Sequence, residues 1–94
     1  MSAAVPNRVE VTDSVIFQKL HNEAVLLNLT TQDYYALDDV GTRIWDLLLE
    51  HGDLDVVAGS LKTIYAAEEE TLRSDLDRLV GELIRLNLLK ASGA

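Results

Sequence analysis

The chain has no cysteine. That excludes a disulfide framework and any thiolate-held metal, and it suits a reducing compartment. Its single proline is Pro6 and its five glycines are scattered, so no glycine-rich loop is present to cradle a phosphate. No window approaches the roughly 18 apolar residues of a membrane span, and residues 1–10 lack the basic flank and the apolar run of about 7–15 residues that mark a secretory signal. A cytoplasmic location is the expectation. Cations are scarce. Against 16 Asp and Glu there are 8 Lys and Arg, leaving a formal charge of −8 whose field repels nucleic acid and anionic lipid and argues against either as a partner. The same charge serves the solubility of a small domain. The 94 residues supply one core and one domain, expected over 9–89 between flexible tails at 1–8 and 90–94.

What is present is organised around Glu23 to Asp39. Val25, Leu27 and Leu29 alternate with Ala24, Leu26 and Asn28, and Tyr35 and Leu37 alternate with Tyr34 and Ala36. A period of two is the mark of a strand, so the stretch predicts a β-hairpin. Thr30, Thr31, Gln32 and Asp33 supply its turn, and the lack of an Asn-Gly pair favours a four-residue loop over a tight one. Upstream, Val9 to Leu20 predicts a strand interrupted at Thr12-Asp13-Ser14 by turn-favouring residues. The outcome is a three-stranded antiparallel meander whose third strand, Asp33 to Leu37, is an edge.

Three helices follow. Asp38 and Asp39 can cap the first, on which Val40, Ile44, Leu47 and Leu48 form a stripe that Trp45 and Leu49 widen, ending at Gly52. Asp53 caps a second, with Leu54, Val57, Ala58, Leu61, Ile64 and Tyr65 on its apolar face and Gly59 weakening its middle. The third spans Glu69 to about Leu86. Its apolar positions recur at threes and fours, with Glu69/Arg73, Arg73/Asp77 and Arg78/Glu82 spaced as i, i+4 ion pairs. Asn87 suits a left-handed terminal position, and Leu88 and Leu89 return to the core. The fold class is therefore α+β, βββααα, most economically packed as a winged helix-turn-helix with the three-stranded sheet at the N-terminus.

Chemistry is hard to find in this pattern. His21 and His51 have no second ligand at metal spacing, and Ser14, Ser60, Ser74 and Ser92 lie in no nucleophile elbow. The carboxylates of the third helix belong to its solvated face, so neither enzyme activity nor a cofactor is expected. A DNA-reading role meets five acidic residues on that helix (Glu69, Glu70, Asp75, Asp77, Glu82) against Arg73, Arg78 and Arg85. The edge strand is what remains. Tyr34, Tyr35, Ala36 and Leu37 contain no charge or proline to block further pairing. Such an edge is harmlessly short, pairs with itself in a dimer, or accepts a peptide as a fourth strand.

The run Ala24-Val25-Leu26-Leu27-Asn28-Leu29, then Tyr34-Tyr35-x-Leu37-Asp38, Val40-Gly41-x-x-Ile44-Trp45 and Ser74-Asp75-Leu76-x-x-Leu79-Val80-x-x-Leu83, in this order and spacing, resembles the PqqD-like family of leader-recognition domains from Val9 to Leu89. The resemblance implies a non-catalytic chaperone. Such a protein binds the leader of a ribosomally made precursor peptide by strand addition and delivers it to a modifying enzyme. Carried over, Asp33, Tyr34, Tyr35, Ala36 and Leu37 offer the edge, and Leu72, Asp75, Leu76 and Leu79 the helical wall. Asp75 would accept a hydrogen bond or pair with a leader cation; the plainer alternative is a solvated helix residue. Gln32 and Asn87 stand where relatives place glycine. The signature is closer to the stand-alone leader binders of lasso-peptide clusters, whose partner is a transglutaminase-like leader peptidase, than to the protein of pyrroloquinoline quinone synthesis, whose partner is a radical enzyme using S-adenosylmethionine. A winged-helix DNA-binding regulator and a small subunit that dimerises through the edge are the alternatives from other classes.

Overall fold

The hairpin dictates the rest of the packing, because one residue at its turn ties the strands to the end of the third helix. The computed structural model describes residues 6–92. Its elements are β1 (Val9–Val11), β2 (Val15–Leu20), β3 (Glu23–Asn28), β4 (Tyr34–Leu37), α1 (Asp39–His51), α2 (Leu54–Ile64), α3 (Glu69–Arg85) and β5 (Leu89–Ala91). β2, β3 and β4 form an antiparallel meander, with Leu26 opposite both Phe17 and Tyr35. This is the expected α+β arrangement of an antiparallel sheet followed by three helices.

The expected first strand, Val9 to Leu20, is two strands serving two sheets. The chain breaks at Thr12-Asp13-Ser14, and β1 leaves the meander to pair with β5, Val9 opposite Ala91 and Val11 opposite Leu89. The driving force is burial: Val9, Leu88 and Leu89 are all core residues. Consequently Lys90 and Ala91, expected in a tail, are strand residues. Arg8 is also held, its carbonyl accepting from Ser92 N at 2.9 Å and its guanidinium meeting Asp53 at 3.1 Å. Asn7 is held too, its carbonyl accepting from Leu54 N at 2.8 Å, while residues 1–5 and 93–94 of the two expected tails lie outside the described residues.

Ala24, Leu26 and Asn28 face inward with Tyr35 and Leu37, whereas Val25 and Leu27 face outward. The connection between β3 and β4 has five residues, 29–33, one more than expected, because Leu29 has no partner on β4, although its amide still donates to Ser14 O at 2.7 Å. Asn28 builds this turn. Its Oδ1 accepts from the amides of Thr30 (2.9 Å) and Thr31 (3.1 Å), its carbonyl accepts from Gln32 N (2.7 Å), and its amide donates to Asp33 O (2.9 Å). Gln32 takes a left-handed φ of 65°, the backbone a glycine would suit. Asn28 Nδ2 then reaches across to donate to Asn87 O at 2.9 Å, where Asn87 (φ 61°) ends α3 as expected. Thr12 Oγ1 donates to the same carbonyl at 2.7 Å.

The helix ends follow local chemistry. Asp38 Oδ1 accepts from Gly41 N at 2.8 Å, and Gly52 closes α1 at φ 72°. Asp53 Oδ1 accepts from the amides of Asp55 and Val56. Glu68 starts α3 without a side-chain cap bond. Trp45, Leu54, Val57, Leu76, Val80 and Leu83 are fully buried, forming the core with Leu26 and Leu88. Val40 and Ile64, expected on apolar faces, are exposed. Leu49, expected to widen the first stripe, is exposed as well, so the packed face of α1 is narrower than its spacing suggests.

Two changes test these readings in urea unfolding. Asn28→Ala should cost about 1–3 kcal/mol, because it strands a buried turn and a helix end. Gly59, exposed on α2 with open space around a Cβ, should gain roughly 0.5–1 kcal/mol on Gly59→Ala.

Candidate functional site

An antiparallel ladder uses alternate residues for each neighbour. Asn28 N donates to Asp33 O, and Leu26/Tyr35 and Ala24/Leu37 share that phase, so Asp33, Tyr35 and Leu37 direct their backbone groups toward β3. Tyr34 and Ala36 therefore direct theirs away from the sheet. Among the described residues no strand pairs with this side of β4.

The meander has a second margin at β2, but it is guarded. Lys19, on the inward face of β2, meets Asp46 of α1 at 2.8 Å, and Phe17 lies edge-on to Trp45 with ring centroids 5.8 Å apart. A lysine on a margin strand is a common device against further pairing. β4 carries none.

Beside β4 runs a groove of about 360 Å³ between the strand, the first turn of α1 and α3. Its floor is apolar, made by Leu37, Ile44 and Leu79, with Val40 at one side. Gly41 lets α1 approach the strand closely, since a Cβ there would sit 3.1 Å from Leu37 Cδ2. The rim is polar. Asp38 comes from α1's cap, and Asp75, Arg78 and Glu82 come from α3. Arg78 pairs with Asp75 at 3.1 Å, not with Glu82, whose Oε1 instead accepts a hydrogen bond from the Tyr35 hydroxyl at 2.6 Å. Elsewhere on α3 the expected Arg73–Asp77 pair is present at 3.0 Å, while Glu69 pairs with Lys62 of α2 rather than with Arg73.

Of the residues proposed from sequence, Tyr35, Ala36, Leu37, Asp75 and Leu79 come together around this groove. Leu76 does not line it: one turn before Val80 on the buried stripe, it is fully enclosed in the core. Leu72 is half-buried against the core and also lies outside the lining. Tyr34 is 72% exposed and belongs to the opposite face of the sheet from Tyr35. Asp33 sits in the turn, with its carbonyl already engaged by Asn28. Sequence reasoning missed Arg78 and Glu82, although Asp75, Arg78, Leu79 and Glu82 obey the i, i+3, i+4, i+7 rule for one helix face. It also missed Asp38, Val40, Gly41 and Ile44 as groove residues. The signal there was adjacency, because α1 starts two residues after β4.

Among the described residues, no cluster of His, Cys, Asp or Glu is placed to hold a metal, and no helix is long and apolar enough to cross a membrane.

The profile of the family described as "Coenzyme PQQ synthesis protein D (PqqD)" matches residues 23–89, spanning the meander's hairpin, all three helices and the start of β5. The chain belongs to the PqqD family. Among solved structures, this PqqD-family chain is similar to one described as "TbiB1 in Complex with the TbiA(beta) Leader Peptide", with 30% identity, 90% of this chain and 99% of that chain covered, and a TM-score of 0.84. A second, described as "Lasso peptide synthetase B1 complexed with the leader peptide", is 22% identical, covers 88% of this chain and 98% of that chain, and has a TM-score of 0.80, a likeness of fold. No curated protein matches the chain in sequence.

The Tyr35 phenol is pushed above the usual tyrosine range. Its hydrogen bond to Glu82 favours the protonated form first; burial and the nearby Glu82 and Asp38 carboxylates then disfavour a phenolate, and Arg85 opposes them. A group whose pKa rises on folding stabilises fully below its unfolded pKa, about 10, and loses that contribution as pH climbs through the folded value. Unfolding followed across that alkaline range should show a steeper loss of stability in the parent than in Tyr35→Phe.

Proposed function

We propose that this PqqD-family chain is a non-catalytic, cytoplasmic peptide chaperone. It binds the leader of a ribosomally synthesised precursor peptide as an added strand on β4, beside α3, and presents it to a modifying enzyme or leader peptidase. The observation that carries the reading is the outward set of backbone groups at Tyr34 and Ala36, uncovered and running along a groove with an apolar floor and a polar rim. Backbone pairing would supply affinity, and the groove between strand and helix would sort the side chains that enter it. The scaffold is read as a winged helix-turn-helix put to use on an extended peptide instead of a duplex.

Leader binding is favoured by the 30% identity to the chain described in complex with the TbiA(beta) leader, and the lasso-peptide type by the fold shared with the chain described as a lasso peptide synthetase B1. Its enzyme partner would be a transglutaminase-like leader peptidase. The family's description supports a second reading, a chaperone of pyrroloquinoline quinone synthesis that serves a radical enzyme using S-adenosylmethionine. A DNA-binding regulator fits less well, because the rim of the groove sets Asp38, Asp75 and Glu82 against Arg78.

Fluorescence polarisation with a labelled leader of the precursor encoded nearest the gene, and with the TbiA(beta) leader as a second probe, tests the proposal. Ala36→Pro removes an outward donor at a margin position that tolerates proline, and it should weaken binding roughly tenfold or more with the melting temperature little changed. Raising salt from about 50 to about 200 mM should change affinity only mildly, in contrast to the steep loss of a phosphate-contacting protein. Unaltered affinity in the folded proline variant would count against strand addition.

A further inference from the structure

The two walls of the groove are joined unequally along their length. At the turn end, Asn28 Nδ2 bonds Asn87 O, which ties the turn of the hairpin to the end of α3. The next tie is the Tyr35 hydroxyl on Glu82 at 2.6 Å. From there α3 runs toward Asp75 for about 10 Å, seven residues at the helical rise. Over that length no hydrogen bond among the described residues links β4 to α3, and the Asp75–Arg78 pair stays within the helix. The walls thus resemble tongs fixed at the Asn28 end and open at the Asp38–Asp75 end.

Building on the strand-addition reading, we propose that the Tyr35–Glu82 hydrogen bond is a clasp that sets the spacing between β4 and α3, making these two positioning residues for the guest peptide. The clasp is well placed for this. Tyr35 lies between the two outward positions, Tyr34 and Ala36, so fixing its side chain fixes the strand segment a guest would pair with. Glu82 is half-buried on the α3 face that also presents Asp75, Arg78 and Leu79. The acceptor is a carboxylate, and a charge-assisted bond resists separation better than a neutral one. With the spacing held before the guest arrives, less ordering is left for the binding step. Bulk at the inward positions of the guest is then limited by a preset gap rather than by one that yields. The guest favoured by this site is an extended segment whose inward side chains are apolar, matching the Leu37, Ile44 and Leu79 floor.

The absence of cysteine allows a direct measurement. Spin labels on Tyr34→Cys and Ser74→Cys, both exposed, report the strand-to-helix distance in the peptide-free protein. Adding Tyr35→Phe or Glu82→Ala should broaden the distance distribution, and Glu82→Gln, whose amide oxygen still accepts the phenol, should narrow it again. A distribution in Tyr35→Phe indistinguishable from the parent would overturn the clasp, whatever the peptide does. With the leader probes named above, Tyr35→Phe should weaken binding roughly five- to tenfold, mainly through faster dissociation, and the double variant with Glu82→Ala should lose no more than the worse single one. Additive losses would instead mean that each residue touches the guest separately, and would also overturn it. The two readings fail differently. A folded Ala36→Pro variant that binds normally sinks strand addition while leaving the distance result standing, whereas a parent blocked by Ala36→Pro and indifferent to Tyr35→Phe sinks the clasp alone.

Discussion

Asn28 is the joint on which the groove depends. It is 3% exposed at the end of β3, where an unpaired amide would be costly, and its side chain is committed in two directions: toward the turn amides of Thr30 and Thr31, and toward the carbonyl of Asn87. The turn that launches β4 and the residue that terminates α3 are thereby referred to one side chain. Thr12, which joins β1 to β2, donates to the same carbonyl. A strand margin and a helix from distant parts of the chain are held in register by a few polar contacts, where apolar packing alone would tolerate sliding.

The difference between the two margins of the meander is a matter of small details on a common backbone. β2 has an inward lysine salt-bridged to α1 and an aromatic ring edge-on to Trp45. β4 has neither, and its outward backbone groups lie beside a groove with an apolar floor and a polar rim. Solvent satisfies those groups in the free protein, so keeping them unpaired costs little stability; what they risk is indiscriminate pairing. The short length of β4, four residues, and the nearby α3 wall both restrict which chains can pair there.

Membership of the PqqD family and the fold shared with two chains described in complex with leader peptides put this margin in a consistent setting. The acidic surface works in the same direction. On α3 and around the groove, Asp38, Glu69, Glu70, Asp75, Asp77 and Glu82 outnumber Arg73, Arg78 and Arg85, an acidic balance that opposes polyanions and leaves backbone pairing and apolar contact as the available attractions.

The sequence by itself determined the features that depend on a few neighbouring residues. Asp38, Gly52 and Asp53 mark helix ends because a cap bond or a left-handed turn closes within about four residues. The alternation through β3 and the threes and fours of α3 were readable for the same reason, and so was the family, whose signature is carried by those local runs. Tertiary structure decided whatever needed a distant partner. A period of two has two phases, and only packing against α3 settled that Tyr35 faces the groove and Tyr34 the opposite side. β1 parted from β2 because its partner, β5, comes from the far end of the chain. Arg78 and Glu82 stood at i, i+4, yet with Arg78 exposed to solvent that pair was worth too little to form. The phenol of Tyr35 on one side and Asp75 on the other took their places, because long-range packing brought the phenol within reach and the helix already held the aspartate there.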